Sequence, residues 1–366
     1  MNTLTPTSDT PLVSVVTVCF NLVKNGRADF FRDCAQSVHN QTYSNIEHLI
    51  IDGGSTDGTV ELLKEYEQKG WIRYISEPDK GIYDAMNKGI RAAKGKYVAF
   101  LNSDDYWHAD TGVADSVNAL ETTGADFSYA SRNVVHENGE LKHIEQAAIG
   151  VFAILMPFCH QTMFTRRDTL LQFGGFDDKT FKSAGDYDLI LRMLLNGATC
   201  AYVPRNFTSF RMSGLSSGEE GCIASLQEMS LCHRRLLGEE AAAMLSRGYI
   251  DTDLFLHICG RVSPVVAQDM LRCYAAYEPG IYRLASGQLN ISPSGRLSVY
   301  NILKERVTFK LFGFIPLLTR RDRANRTDWN LFGFLPLLRK TRGKKGVCYR
   351  LFCSIPLLSI TSPYRH

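Results

Sequence analysis

Along the first two hundred positions, apolar residues fall in short, nearly unbroken runs separated by amphipathic stretches. Leu12 to Cys19 (LVSVVTVC) and Ile46 to Ile51 are β-branched runs without polar alternation, the pattern of parallel strands buried on both faces. Ile72 to Ile75 and Tyr97 to Leu101 continue the series, and residues 29–40, 60–68 and 83–93 between them carry helical spacing. Further on, residues 111–121 read as a helix and Ala125 to Ala130 as a strand. Apolar positions 189, 190, 193 and 194 mark a buried helical face, and Ala198 to Val203 closes the domain. Strands alternating with helices imply right-handed crossovers and an α/β, Rossmann-like, mostly parallel sheet flanked by helices. Ligands of such sheets sit beyond the carboxyl ends of the strands.

Polar residues gather at those ends. Phe20 and Asn21 follow the first strand, and Asp52 heads the loop Asp52-Gly53-Gly54-Ser55-Thr56-Asp57-Gly58-Thr59 after the second. A dinucleotide fingerprint would place G-x-G-x-x-G at the first helix, with an acid only about twenty residues later. The glycines here are wrong for it. An anionic residue at position 52 suits a nucleobase imide N–H or ribose hydroxyls, and does not suit a pyrophosphate. A Gly-rich turn with Ser55 or Asp57 capping a helix accounts for the glycines but leaves Asp52 unexplained. The run Asn102-Ser103-Asp104-Asp105 ends the fourth strand. Two adjacent carboxylates there must be solvated or paired with something positive. They read either as a polar loop capping the next helix or as a seat for Mg2+ or Mn2+ carrying a diphosphate. His160, in Cys159-His160-Gln161-Thr162-Met163-Phe164, is by itself more often a hydrogen-bonded core histidine than a functional one. Asp186 begins a helical segment, where the dipole favours an ionised carboxylate; it serves equally as a cap or as a base.

Composition narrows the class. With 366 residues, 45% hydrophobic and 22% charged, the chain has room for two domains of ordinary globular make-up. No apolar core follows a basic start, so no signal peptide is expected, and no run approaches the roughly 18–20 residues of a spanning helix. Ten cysteines without C-x-x-C spacing argue against zinc ribbons and a disulfide framework, leaving reduced thiols and a cytoplasmic setting. The net charge of +3 is uneven. Residues 301–366 hold fourteen Lys/Arg against Glu305, Asp322 and Asp328, or +11, which leaves −8 for residues 1–300. Residues 220–290 read as helical. The basic tail then repeats LFGFIPLL, LFGFLPLL and LFCSIPLL from Leu311, Leu331 and Leu351, a period of twenty, with Phe309, Trp329 and Tyr349 two residues before each copy. Units this short must stack or meet another surface, and a proline in each argues against long helices. Aromatic apolar units flanked by arginines match an anionic membrane surface better than nucleic acid, for which the apolar cores would be wasted. A stacked appendage or oligomerisation surface is the alternative.

Six segments, in order and spacing, resemble the family 2 glycosyltransferases of the GT-A fold over roughly residues 11–220: SVVTVCFN (14–21), QTYSNIEHLIIDGGSTDGT (41–59), SEPDKGIYDAMNKGI (76–90), FLNSDD (100–105), HQTMF (160–164) and GDYDLILR (185–192). The likeness is to the subgroup that builds bacterial exopolysaccharide, capsule, O-antigen or colanic-acid-like glycans. It implies that Asp52 contacts the nucleobase with Thr17 and Asn21 nearby, and that Lys80 and Asn87 serve the donor. It also implies that Asp104 reaches ribose or metal and that Asp105 holds the cation. The family's Glu-Asp pair before the last helix is here Gly185-Asp186, so Asp186 inherits the role of base, with Asp188 a lesser substitute. His160, Gln161 and Arg211 would line the acceptor side or pocket. The activity implied is inverting, metal-dependent transfer of a sugar from a nucleotide-sugar, UDP favoured, to a lipid-linked or growing surface glycan. The setting implied is the inner face of the bacterial cell membrane, where the enzyme would be peripheral. A non-catalytic nucleotide-sugar-binding scaffold is the rival reading. The organisation expected is a disordered N-terminus (1–10), a catalytic domain (11–220), a helical extension (221–300) and the repeat region (301–366).

Overall fold

The structure is a computed structural model. It describes residues 10–212, 219–246, 250, 252–276, 284–285, 288–289 and six strands between 307 and 361, and beyond residue 273 the backbone alone. The expected disorder of the N-terminus, apart from residue 10, and the late loop from residue 213 to 217 lie outside the described residues. The chain divides into two compact units, Met1–Ser246 with Asp253–Met270 and Arg247–Thr252 with Leu271–His366.

In the first unit, strands β1 (Val13–Cys19), β2 (Ile46–Asp52), β3 (Arg73–Ser76) and β4 (Tyr97–Phe100) alternate with helices α1 (Ala28–His39), α2 (Thr59–Gln68) and α3 (Ile82–Ala92). After β4 come β5 (Tyr106–Trp107), α4 (Gly112–Thr123), β6 (Phe127–Tyr129), β7 (Arg132–Val135) and β8 (Leu141–Glu145). Strand β9 (Phe164–Arg166), α5 (Arg167–Gln172), α6 (Gly185–Leu195), β10 (Cys200–Tyr202) and β11 (Thr208–Arg211) complete the sheets. The main sheet has the order β10-β6-β9-β4-β1-β2-β3. Only β9 runs against its neighbours; the other pairings are parallel. The β-branched runs make these strands because both faces are covered: Val13, Val15, Leu49, Ile50, Ile51, Val98 and Ala99 have no exposed surface. The chain moves outward from β1 through β2 to β3 and returns on the other side at β4. The switch point, and the crevice that comes with it, therefore lies between β1 and β4.

A smaller sheet, β5-β11-β7-β8, was not expected. Its strand β8 is exposed along its whole length, so it shows no alternation to read, and β5 has two residues. The stretch from Phe210 onward, expected to be a loop, begins as the end of β11.

Helices α7 (Glu219–Leu237), α8 (Glu239–Leu245), α9 (Thr252–Cys259) and α10 (Pro264–Ala276) follow. The helical pattern then stops. The two short strands β12 (Leu284–Ala285) and β13 (Gln288–Leu289) pair with each other. Among the described residues, no helix is long and apolar enough to cross a membrane.

The repeats form one six-stranded antiparallel sheet of β14 (Val307–Leu311), β15 (Ile315–Arg323), β16 (Arg326–Leu331), β17 (Leu335–Gly343), β18 (Gly346–Leu351) and β19 (Ile355–Thr361). Each twenty-residue copy is one hairpin. Phe309, Trp329 and Tyr349 stand opposite Leu318, Leu338 and Leu358, and each hairpin has a register shift at the following pair. The ladder to the next hairpin starts only at Leu318 and at Leu338, so Pro316 and Pro336 fall outside it. Their missing N–H therefore costs no bond there.

Helix α3 lies against β1 so closely that a Cβ on Gly89 would sit 2.4 Å from Val16 Cγ1. Gly89→Ala would gain up to about 1 kcal/mol of helix propensity, but over-packing costs about 1–3 kcal/mol. The clash outweighs the gain, so thermal unfolding should show a lower midpoint. Val16→Ala in the same chain should recover part of the loss.

Candidate active site

The loop after β2 closes on its own acid. Asp52 is fully buried. Its carboxylate accepts the backbone N–H of Ser55 (2.9 Å) and Gly54 (3.2 Å) and the Ser76 hydroxyl (2.7 Å). Asp52 therefore shapes the loop, and the expected direct contact with a nucleobase does not fit its burial. Asn21 adopts a left-handed backbone (φ 50°) at the end of β1; its N–H donates to Ser55 Oγ (2.7 Å), joining the two strand ends. What lies open beside them is Phe20, 56% exposed. A Cβ on Gly53 would meet Asp79 Oδ2 at 2.5 Å and the Phe20 ring at 3.3 Å. The end of the Asp79 side chain thus reaches over Gly53. Thr17 is buried and bonded to His48 Nε2 (3.0 Å).

The two carboxylates after β4 have separated roles. Asp105 is buried, its Oδ2 accepting Gln161 Nε2–H and its Oδ1 the Arg211 N–H, each at 2.6 Å. Burial and the neighbouring Asp104 charge push its pKa up to about 7, against those two hydrogen bonds. Asp104 keeps its side chain partly open and pairs with Arg27, just before α1. Of the two acids expected at the cation, Asp105 is thus buried and hydrogen-bonded within the fold, and Asp104 keeps the more open carboxylate. Arg211 is not a pocket residue. Its guanidinium lies between the Phe30 and Tyr106 rings (4.6 Å from each), donates to the Asp104 carbonyl (2.7 Å) and pairs with Asp33 (2.7 Å). Gln161 is equally structural, its Oε1 accepting the Asn102 N–H (2.8 Å).

Asp186 opens α6. His160 Nδ1 lies 2.9 Å from its Oδ2, the Tyr187 N–H donates to its Oδ1 (2.9 Å), and the Tyr83 hydroxyl is 3.4 Å away. Burial raises this carboxyl's pKa, but the His160 contact and the backbone N–H groups outweigh burial and hold it below the ordinary carboxylate range. At Gly185 the Tyr83 ring fills the space of a side chain: a Cβ there would be 2.7 Å from the ring. A carboxylate arrives from α7 instead, Glu228 accepting the N–H of Lys182, Ser183 and Ala184 at the start of α6.

Two other expected ligands turn out to be staples. Asn87 is buried and exchanges hydrogen bonds with the backbone of Phe176 (2.8 and 2.9 Å). Asp188 is buried and paired with Arg192 (2.7 Å), which in turn holds the carbonyls of Phe173 and Gly175. Lys80 remains exposed just before α3. The residues that sequence reading missed are Arg27, Phe20, Asp79, Tyr83 and Glu228. Only Phe20 carried a signal, an aromatic directly after a buried strand.

An α/β sheet with its acids at the carboxyl ends around the β1/β4 switch point, completed by a crossing antiparallel strand, defines a GT-A glycosyltransferase. The Glycosyl transferase family 2 model matches residues 14–184. An uncharacterized glycosyltransferase of Mycobacterium tuberculosis is 33% identical over 233 residues, 62% of this chain and 85% of that protein. The chain belongs to glycosyl transferase family 2. It is also 34% identical over 120 residues to the UDP-Glc:alpha-D-GlcNAc-diphosphoundecaprenol beta-1,3-glucosyltransferase WfaP of Escherichia coli, 33% of this chain and 45% of WfaP. Among solved structures, the mannosyltransferase PcManGT from Pyrobaculum calidifontis, in complex with GDP-Man and Mn2+, superposes with a TM-score of 0.50 at 17% identity. That match covers 74% of this chain and 76% of PcManGT, a likeness of fold.

Because its folded pKa lies above the usual carboxylate range, Asp105 contributes stability that is complete below that range and lost as pH rises through about 7. Gln161→Leu removes the bond that favours the ionised form, at an expected loss of about 1–3 kcal/mol. Denaturant titrations at about pH 5 and about pH 9 should show the larger deficit at the higher pH.

Proposed function

We propose that this chain transfers a sugar with inversion from a nucleotide-sugar, a UDP-sugar by preference, to a hydroxyl of a lipid-linked or growing bacterial surface glycan. The observation that carries this reading is the pair of poised carboxylates joined through one dipeptide. Gln161 holds Asp105, beside Asp104, and His160 holds Asp186 ionised. Asp186 takes the acceptor hydroxyl's proton as that oxygen attacks the sugar C1. The bond from C1 to the diphosphate breaks, and its electron pair leaves with the diphosphate. A single base with no covalent nucleophile gives inversion.

On the donor side, the exposed Phe20 ring offers a stacking face for the base, with Asn21 and Asp79 at its edge. Among the described residues, no group of three His, Cys, Asp or Glu could hold a metal without help. Asp104 together with two phosphate oxygens and water makes a hard-oxygen set that fits Mn2+ or Mg2+ arriving with the diphosphate. Such a cation would offset the charge that develops on the leaving group. Arg27 already places positive charge at this spot, and Lys80 is exposed nearby in sequence to the helix that carries Tyr83.

WfaP, as its name states, acts on an acceptor carried by diphosphoundecaprenol. A similar acceptor for this chain would place it on the inner face of the cell membrane as a peripheral protein, with residues 301–366 meeting the anionic surface. A donor-binding scaffold would need neither an ionised Asp186 nor its contact with His160.

Asp186→Asn should keep donor binding and lower transfer by a factor of about 10²–10⁴; unimpaired transfer would remove Asp186 as the base. His160 lowers the Asp186 pKa, and activity needs the ionised form, so the rate falls as pH drops through that pKa. His160→Ala should therefore move the acid limb of the kcat/KM profile to higher pH.

A further inference from the structure

The register of the second unit sorts its residues onto two faces, because partners opposite each other in an antiparallel ladder share a face and alternate positions along a strand do too. Phe309, Trp329 and Tyr349 fall on one face together with Leu318, Leu338 and Leu358. The links between hairpins agree, since Leu318 stands opposite Leu331 and Leu338 opposite Leu351. Lys310, Arg321, Arg323, Arg326, Arg339 and Arg350 fall on the other face, with one acid, Asp328. Threonine, asparagine, serine and proline occupy most of its remaining positions. The sequence repeat is thus an amphipathic sheet, with one apolar face and one basic face.

The apolar face is also uneven along the strands. Its end nearest the three Phe-Gly-Phe or Phe-Cys-Ser connections holds only aliphatic residues, among them Leu311 opposite Ile315, Leu331 opposite Leu335 and Leu351 opposite Ile355. Next come three aromatics on alternate strands, each stepped two residues along the strands from the one before, since Trp329 is level with Arg320 and Val307 and Tyr349 with Lys340 and Thr327. The same face also carries three basic residues, Arg320 directly opposite Trp329, Lys340 directly opposite Tyr349 and Arg342 opposite Val347, among Val307, Thr327, Ile360 and one acid, Asp322. Aromatic residues beside basic ones, next to an aliphatic end, is the combination found where a protein surface meets the interface and phosphates of an anionic bilayer.

We propose that the three hairpins form a β-sheet docking module that lays its apolar face into an anionic bilayer. The aromatic residues would sit at the interface, with Arg320, Lys340 and Arg342 at the level of the lipid phosphates. This deepens the reading of residues 301–366 as the membrane-facing region. The competing occupant of an apolar face is a second copy of the chain. Residues 301–366 carry +11, so two copies face to face repel, whereas an anionic lipid surface attracts the same charge. A sandwich partner would also have to bury Arg320, Lys340 and Arg342 on this face against only one acid of its own, Asp322.

The test uses the full chain and vesicles of phosphatidylglycerol mixed with phosphatidylcholine, with phosphatidylcholine alone as the neutral control. Wild-type protein should co-sediment with the anionic vesicles and be released by salt. Replacing Phe309, Trp329 and Tyr349 together by Ser should lower the bound fraction about tenfold or more. Replacing Thr308, Asn330 and Cys348, their chain neighbours on the opposite face, by Ala should leave it unchanged. Brominated lipid should quench tryptophan emission in the wild type, and Trp329→Phe should abolish that quenching, a readout that does not depend on a triple variant folding. Equal losses from both faces, no quenching assigned to Trp329, or a wild-type dimer that the aromatic substitutions dissociate would overturn the proposal. Nucleotide-sugar binding, measured on the same proteins, should not change. Its loss in the wild type would count against the catalytic reading and leave the vesicle result standing.

Discussion

Two consecutive residues, His160 and Gln161, hold the arrangement together. Gln161 reaches the buried Asp105 with its amide nitrogen and the Asn102 N–H with its amide oxygen, so it fixes the end of β4 from both sides. His160, one position earlier, contacts Asp186 at the start of α6. A single short segment ahead of β9 thereby links the acids after β4 to Asp186 at the start of α6. The antiparallel insertion of β9 between β4 and β6 is what delivers that segment to the switch point.

Around this link, the site is built by displacement. At Gly53 and Gly185, side chains from elsewhere occupy the space a Cβ would need, Asp79 in one case and the Tyr83 ring in the other. Tyr83 stacks on Phe176, which packs edge-on against Phe100 at the end of β4, so an aromatic chain runs beneath both halves of the site. Buried polar groups without partners are expensive. The ones that matter here are paired across long stretches of sequence, such as Asp105 with Arg211 and Asn87 with Phe176. Asp104 and Asp186 are paired too, with Arg27 and His160, but keep part of their side chains exposed.

The parallel strands were legible because burial on both faces forces unbroken β-branched runs, and the acids were legible because charges at strand and helix ends need a reason. The division of labour among them was not. Asp104 and Asp105 are indistinguishable in sequence, and only the distant Gln161 and Arg211 decide which one is buried. Asn87, Gln161 and Arg211 sit in segments that resemble ligand-binding motifs, yet each bonds to backbone or side chains far along the chain, a relation that no local pattern encodes, whereas Asp188 pairs with Arg192 one helical turn on. Arg27 lay in an ordinary polar loop and gave no sign of its link to Asp104. In the tail, the period of twenty was plain, but its conversion into hairpins with one apolar face needed the register.

Which acid of the pair meets the cation is the point on which the catalytic reading turns. Anomalous scattering from crystals grown with UDP and Mn2+ would locate the cation without assuming any activity. The expected result is manganese bound by the Asp104 carboxylate and the diphosphate, with Arg27 displaced and Asp105 still held by Gln161 and the Arg211 N–H. Manganese on Asp105, or a nucleotide bound away from the β1/β4 crevice, would contradict it.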